Sequence, residues 1–270
     1  MRAVGIGFLV FRILAAVWIA AIGVFAGLQG LGYISFAAKL EPLAWTVSLI
    51  IICLESIGSL VRERFEVRRV NLEKQLDRWS LTFVLEQLGT SAMAFEDLGV
   101  SVWVPTTRSR FAVWLFKKSR TDHRFARLNR FRPQGHPQQS SITWTGAMGT
   151  VGQCWKTQKA VYWDARVIAA KYGEAEISTS QYERIPMAVT RGFSREQFVQ
   201  VVGKYAEVRA IPIMHTDTSK AKMIGVLSID RVFDRDDLTP KKYLDGKPTL
   251  HRAEAAAAGV SASLAGKHRA

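Results

Sequence analysis

Cysteine and histidine are scarce in this chain, and those present lack the spacing that catalytic and metal sites need. The two cysteines, Cys53 and Cys154, stand far apart among 270 residues, which gives neither a disulfide framework nor a zinc-binding pattern. The 5 histidines are scattered, and no metalloprotease motif, nucleophile elbow or purposeful carboxylate pair accompanies them. We therefore expect no enzyme and no metal site. We interpret Cys154 as a packed core residue, with redox sensing as the minor alternative.

Long apolar runs are what the N-terminal part of the chain has in abundance. Residues 4–28 and 43–61 each come close to the roughly 20 mainly apolar residues that a helix needs to cross a bilayer. A cleaved signal peptide explains the first run less well, because the run is too long and a second one follows at once. We predict an all-α transmembrane hairpin over residues 1–61.

Positive charge is concentrated on one side of this hairpin. Arg2 precedes the first run, Arg62 and Arg64 follow the second, and the connecting loop has one lysine offset by one glutamate. Lysine and arginine near span ends stay in the cytoplasm. This predicts a multi-pass protein of the cell membrane, with both termini and the soluble part in the cytoplasm.

The chain as a whole is basic. It has 37 Lys and Arg against 23 Asp and Glu, a formal net charge of +14. Because these residues form no recognisable nucleic-acid motif, we expect membrane lipid as the anionic partner and do not expect nucleic acid.

Arg12 and Glu55 place opposite charges inside the two apolar runs. Both lie roughly 9–12 Å from the cytoplasmic end at the helical rise per residue, so we predict an intramembrane pair across the hairpin. Intramembrane charges often mark an ion path or gate. An arginine that snorkels to the interface is the structural alternative.

A helical stalk is predicted directly after the hairpin. Residues 62–88 contain neither proline nor glycine, and Phe65, Leu72 and Trp79 recur at heptad spacing. The stalk, residues 62–89, is a short coiled coil that joins two chains in a homodimer, an amphipathic helix that packs on the soluble domain, or both. In the last case the first half pairs the chains and the second half, residues 79–88, packs on the domain. Its continuity would let it carry a change between membrane and cytoplasm.

Short β-rich runs separated by turn residues follow the stalk. They predict strands over residues 100–104, 112–116, 125–131, 141–144, 160–163, 208–214 and 223–230. A glycine-rich stretch around residue 150 leads into a short helix. Its glycines match neither a dinucleotide fingerprint nor a P-loop, and tight turns explain them better. Ser194 is the expected N-cap of a helix over residues 195–205. The predicted fold is α+β, an antiparallel sheet with flanking helices.

Several segments of this domain resemble GAF domains. They are residues 149–157 (GTVGQCWKT) with Ala160, Val161 and Asp164 behind them, the closing pair 210–213 (AIPI) and 224–230 (IGVLSID), and residues 128–131 (LNRF). The resemblance covers residues 79–237 and implies a GAF-like sensor domain in which the closing pair forms adjacent strands. PAS domains, the nearest competing fold, fit the closing strands less well and do not explain the glycine signature.

The resemblance implies ligand sensing or dimerisation. GAF domains bind cyclic nucleotides, tetrapyrroles or other small molecules, or nothing known. Residues 230–237 echo the cyclic-nucleotide motif only loosely, so the cofactor stays unknown. By the family's layout, residues 164–194 form a lid, and the ligand-binding candidates are Trp144, Trp155, Tyr162, Trp163 and Asp164. Aromatic side chains with a few polar groups suit a small-molecule site, although each of them also suits a core.

Two basic segments complete the chain. The lysines and arginines over residues 108–132 indicate either a solvated strand face or a contact with anionic lipid. Residues 238–270 are rich in proline, alanine and lysine, and we predict a disordered basic tail there.

Together these features predict a membrane-anchored cytoplasmic sensor or signalling adaptor, whose GAF-like domain binds a small ligand or dimerises. Two alternatives stay open. One is a ligand-triggered membrane effector, in which the hairpins assemble and perturb the bilayer. The other is a scaffold that binds no ligand and only dimerises.

Overall fold

The chain divides into two compact units. The computed structural model describes residues 2–31, 40–90, 93–106, 123–173, 175–215, 221–234 and 241–265. The first unit is Met1–Val70 and the second is Asn71–Ala270. Helix α2, Leu40–Leu88, contributes residues to both units.

Two helices form the first unit. Helix α1 spans Arg2–Gly30, and α2 begins at Leu40 with Pro42 in its first turn, where the missing backbone N–H is tolerated. The indole Nε1 of Trp18 donates to Ser48 Oγ at 3.3 Å. This bond joins α1 to α2.

Most of the large apolar side chains described in this unit are exposed. Leu49 is 64% exposed and Ile57 is 58% exposed, as expected of side chains that a lipid environment would cover. Among the described residues, the helix from Trp45 contains a stretch long and apolar enough to cross a membrane, whereas the apolar part of α1, Ala15–Leu28, is shorter. The structure therefore provides one candidate membrane span.

A five-stranded antiparallel sheet organises the second unit, in the order β2-β1-β5-β4-β3. The strands are β1 Leu98–Pro105, β2 Phe125–Phe131, β3 Val161–Asp164, β4 Tyr205–His215 and β5 Lys222–Val232. The closing pair, β4 and β5, is adjacent and antiparallel, as predicted. The mixed α+β class with one antiparallel sheet is confirmed.

One face of the sheet carries the main hydrophobic core. Alternate strand residues supply it, because side chains in a strand alternate between the two faces. The buried strand residues in this cluster are Leu98, Val100, Val102, Ile211, Ile213, Leu227 and Ile229. The C-terminal part of α2 covers them with Leu76, Phe83 and Val84. The second half of the stalk therefore packs on the domain, as the alternative of an amphipathic packing helix predicts.

The C-terminal segment also covers this face, which corrects the prediction of a disordered tail. Helix α8 spans Lys247–Ala265 and packs against β4 and β5. Its buried side chains are mostly small, among them Ala253, Ala256, Ala257 and Val260. Alanine and glycine bury little area each, so the sequence shows only a weak apolar pattern. The small side chains nevertheless let the helix approach the core closely.

Five short helices lie along the chain between β2 and β4. They are α3 Gly149–Thr157, α4 Arg166–Tyr172, α5 Thr179–Glu183, α6 Met187–Thr190 and α7 Arg195–Val201. Residues 164–194 were expected to be a lid loop. They instead form three of these helices, with Ile177, Ile185 and Phe193 buried in a cluster that they share with residues of α7.

Local sequence signals account for several of these boundaries. Ser194 caps α7, because its hydroxyl accepts from the backbone N–H of Gln197 and the Gln197 side chain accepts from the Ser194 N–H. That cap was predicted, but the helix ends at Val201 rather than residue 205. Residues 141–144 form no strand, since only an isolated bridge from Arg124 to Thr145 forms there. The predicted strand 112–116 lies outside the described residues.

Candidate functional site

A small cavity lies against the face of the sheet opposite the main core. Its wall contains strand residues from all five strands and the first turn of α3. The lining residues are Ser101, Trp103, Arg127, Trp144, Gly149, Thr150, Val151, Trp163, Phe193, Val201, Tyr205, Val208, Ser228 and Asp230. The cavity volume is about 40 Å³, which is room for about three water molecules.

Aromatic rings form one side of this cavity. The rings of Trp103 and Trp144 lie 5.0 Å apart, and Phe193 meets Trp144 edge to face at 5.3 Å. Gly149 has a φ of +61°, and a Cβ there would approach Phe193 at 3.0 Å and Trp144 at 3.1 Å. The glycine thus provides both the turn into α3 and the space for the rings, as the tight-turn interpretation expected.

Two arginines lie over these aromatic walls. The guanidinium carbon of Arg127 is 4.3 Å from the Trp103 ring centroid, and that of Arg191 is 4.7 Å from the Trp163 centroid. Burial lowers the pKa of Arg127, and burial likewise lowers the pKa of Arg191. Both remain cations at neutral pH, because an arginine starts from a pKa above 12.

Asp230 is the one carboxylate among the lining residues; an ion pair compensates its charge, although its Oδ1 has no hydrogen-bond partner among the described residues. Asp230 is buried and forms an ion pair with Arg132, whose side chain is also buried. Burial is the main cause that lowers the pKa of Arg132, to about 10. Arg132 therefore still carries its charge at neutral pH, and the pair leaves Arg127 as the uncompensated charge among the lining residues.

Three buried N–H donors at the cavity have no acceptor among the described residues. They are the indole Nε1 of Trp103, the indole Nε1 of Trp144 and the Nε of Arg127. Buried polar groups in proteins nearly always have partners, and an unmade hydrogen bond costs on the order of 1–3 kcal/mol. A concentration of unpaired donors at one cavity marks it as the candidate binding site.

The predicted ligand-binding residues do not all meet at this cavity. Trp144 and Trp163 line it. Trp155 lies instead against Phe125, with ring centroids 5.4 Å apart. Tyr162 and Asp164 flank Trp163 on β3, so strand alternation directs them to the opposite face of the sheet.

On that opposite face Tyr162 belongs to a buried ionic cluster. Its hydroxyl donates to Glu207 Oε2 at 2.9 Å. Burial and then the neighbouring Glu207 charge raise the pKa of Tyr162 well above its usual range. Glu207 also accepts from Arg231 Nε at 3.0 Å and from the backbone N–H of Leu244 at 2.9 Å. This cluster anchors the segment that leads into α8.

Asp164 has a local partner. Its carboxylate binds the Arg166 guanidinium through Nη2 at 2.6 Å and Nε at 2.9 Å. The Arg166 hydrogen bond is the main cause that lowers the pKa of Asp164. The bidentate geometry fixes the turn between β3 and α4, which is a structural role.

Cys154, Arg12 and Glu55 are the remaining residues for which the sequence predicts a role. Cys154 is fully buried in a hydrophobic cluster, and burial raises the pKa of its thiol to about 12, so thiolate chemistry at neutral pH is suppressed. The Arg12 side chain lies outside the described residues, and Glu55 lies within α2. The Arg12–Glu55 pair therefore stays a prediction.

Sequence reasoning missed Trp103, Arg127 and the two serines Ser101 and Ser228 of the cavity wall. Alternation along β1 and β5 could have placed Ser101, Trp103 and Ser228 on the face opposite the main core. Arg127 was instead grouped with a basic segment expected on a solvated face or at lipid. In that segment, Arg127 and Arg132 lie inside the domain; residues 107–122 lie outside the described part.

Neither protein-family models nor curated proteins give a match to this chain. No group of three or more metal-ligating side chains occurs within the described ranges.

Proposed function

We propose that this protein is a membrane-anchored sensor or signalling adaptor whose GAF-like domain binds a small ligand in the sheet cavity. The observation that carries the proposal is the group of unpaired buried donors at the cavity, contributed by Trp103, Trp144 and Arg127. Such donors are costly unless a bound group satisfies them. The GAF resemblance of residues 79–237 supports the same class of function.

The anchor is proposed to be a hairpin of two spans in the cell membrane. The exposed apolar side chains of α1 and of the first part of α2 support it, as do the arginines that follow residue 61. Both termini and the domain are then cytoplasmic, and anionic lipid is a partner through the arginines that follow residue 61. Two chains pair through the exposed part of the stalk in this proposal.

Helix α2 is the proposed route between ligand and membrane. It extends without a break from Leu40 to Leu88, and Leu76, Phe83 and Val84 near its end belong to the domain core. A ligand can shift an equilibrium only by its differential affinity for two states. The cavity and the α2 contacts lie on opposite faces of one sheet, so a change in sheet packing is the physical link.

The test is to identify small molecules that copurify with the full chain in detergent. Mass spectrometry should find a compound with the wild-type protein that is absent from a Ser101→Leu variant, in which the larger side chain fills the cavity. The full chain is needed because α8 contributes to the core, so a fragment ending at residue 237 would lack part of its fold.

Two controls make the result decisive. Ser180→Leu is the matched serine-to-leucine control, because Ser180 is exposed in α5 and does not line the cavity; this variant should retain the compound. Circular dichroism should show that both variants are folded. If no compound copurifies and no small molecule in a thermal-shift screen stabilises the wild type, ligand sensing is contradicted and the scaffold alternative is favoured.

A further inference from the structure

We propose that the ligand of the sheet cavity is a small oxyanion, of the size of a carboxylate with a one- or two-carbon skeleton. This inference rests on the proposed ligand-binding function and names the chemical class that the cavity selects. The donors at its wall, its charge, the faces of its aromatic rings and its volume each bear on that class.

Three unpaired side-chain donors at the wall require an acceptor. The wall also has one acceptor without a hydrogen-bond partner, Asp230 Oδ1, whose charge the Arg132 ion pair compensates. Trp103 is only 4% exposed, and its indole N–H has no partner among the described residues. The Trp144 ring lies 5.0 Å from it and the Arg127 guanidinium 4.3 Å from it, and their unpaired N–H groups are buried as well. An indole N–H and an arginine N–H can only donate. A ligand that satisfies them must therefore present acceptor oxygens.

The first turn of α3 adds backbone donors to the same wall. Gly149 donates its N–H to the Arg191 carbonyl and Gly152 to the Met148 carbonyl. The N–H groups of Thr150 and Val151, which line the cavity, have no acceptor within the described part of the chain. The N-cap residue supplies no side-chain cap either. An uncapped helix start with free N–H groups carries partial positive charge and binds anions.

The charges around the cavity favour an anion over a cation. Asp230 is paired with Arg132, so its negative charge is compensated, while Arg127 adds a positive charge to the wall. A cationic ligand would bind to aromatic faces. Here the protein's own guanidinium groups already lie over Trp103 and Trp163, and a ligand cation would meet like charge.

The volume limits the ligand to a few heavy atoms. About 40 Å³ corresponds to about three water molecules, whereas sites for drug-sized ligands measure about 300–1,000 Å³. A nucleotide or a tetrapyrrole does not fit this cavity. An acetate ion, with two oxygens and two carbons, does.

The experiment uses three small probes with the full chain in detergent micelles. They are acetate and acetamide, which match in size and differ in charge, and the smaller cation methylammonium. Ionic strength is held constant with the sodium salt of a bulky sulfonate buffer. Tryptophan fluorescence and the thermal midpoint report binding, because a ligand specific to the folded state raises Tm by an amount that grows with the ratio of its concentration to its Kd. Acetate should bind saturably, and the other two should bind at least about tenfold more weakly, since hydrogen bonds to a charged group are the stronger ones.

Substitutions locate the bound acetate. Trp103→Phe keeps an aromatic ring but removes the N–H, and it should weaken acetate binding by about tenfold or more. Trp155→Phe is the matched control, because Trp155 does not line the cavity, and it should change the affinity by less than about twofold. If Trp103→Phe fails to fold, Arg127→Met provides the same test, with Arg209→Met on the opposite face of the sheet as its control.

Two kinds of result would overturn the oxyanion proposal. One is that acetamide or methylammonium binds as tightly as acetate, or that none of the three probes binds while a compound copurifies. In either case ligand sensing stands and only the proposed ligand class is wrong. The other is acetate binding that is equally strong in Trp103→Phe and Trp155→Phe, which would place the ion elsewhere. If no probe binds and no compound copurifies, ligand sensing itself fails and the cavity holds only water.

Discussion

Replacement of Glu207 by glutamine should uncouple the C-terminal helix from the sheet. Glu207 is fully buried, and its carboxylate accepts from Arg231 Nε at 3.0 Å and from the Tyr162 hydroxyl at 2.9 Å. It also accepts from two backbone N–H groups, those of Tyr243 at 3.2 Å and Leu244 at 2.9 Å. Four donors thus converge on one carboxylate at the point where the chain leads into α8.

The cost follows from what the substitution leaves behind. A glutamine amide keeps one acceptor oxygen but turns an NH₂ group toward donors, and the Arg231 Nε loses the buried carboxylate to which it donates. Breaking a buried ion pair on one side costs about 3–5 kcal/mol. Because a domain of this size is stable by only about 5–15 kcal/mol in total, Glu207→Gln should remove a large part of its stability.

Urea unfolding of the full chain in detergent, followed by tryptophan fluorescence, measures this loss. Glu254→Gln, an exposed glutamate in α8, removes the same charge and should change the free energy of unfolding by less than about 0.5 kcal/mol. Hydrogen exchange should show that the amides of α8 lose protection in Glu207→Gln more than those of α3, since the carboxylate holds the segment before α8.

A double variant separates the ion pair from simple loss of packing. Glu207→Leu with Arg231→Met removes both charges of this pair together and should be more stable than the sum of its single variants predicts. The reasoning is refuted if Glu207→Gln unfolds within about 0.5 kcal/mol of Glu254→Gln, or if the double variant is strictly additive.

Two further predictions concern α8 and the membrane anchor. Gly259→Ala should destabilise the protein by about 1–3 kcal/mol, because the added Cβ would approach the Trp79 ring at 2.5 Å. Helix propensity alone predicts that the variant is more stable by about 1 kcal/mol. The sign of the change in unfolding free energy therefore decides between the two expectations. In a protein whose native cysteines are replaced by serine, a membrane-impermeant maleimide should label Leu31→Cys in intact cells but Lys241→Cys only after lysis, and the reverse pattern would contradict the proposed orientation.

The sequence determined those features that depend on local pattern. Run length and the absence of helix breakers predicted α2, and β-rich runs bounded by turn residues predicted β4 and β5. Glycine at position 149 predicted the turn into α3, since its backbone conformation suits few other residues. The Ser194 side chain predicted the start of α7, because a cap acts within one turn.

Long-range packing decided what the pattern left ambiguous. The alanine-rich segment after residue 246 favours a helix by its propensity but has a weak apolar signal, so only the structure shows that this helix packs on the sheet and the Trp79 ring. Likewise residues 164–194, the predicted lid loop, contain three helices, and Phe193 and its neighbours are buried together in one hydrophobic cluster. Propensity is a weak prior that such contacts override.

The cavity shows most clearly which features follow from the sequence and which depend on the tertiary structure. Alternation separates Trp163 from Tyr162 and Asp164, so period-2 reasoning could have divided the predicted residues between two faces. A β-bulge, by contrast, is visible only in the structure. The register between β1 and β2 shifts after Val102, which places Arg127 opposite Trp103. An extra residue at that point changes which side chains face inward, and the pairing of two strands distant in sequence, rather than either strand alone, determines where it occurs.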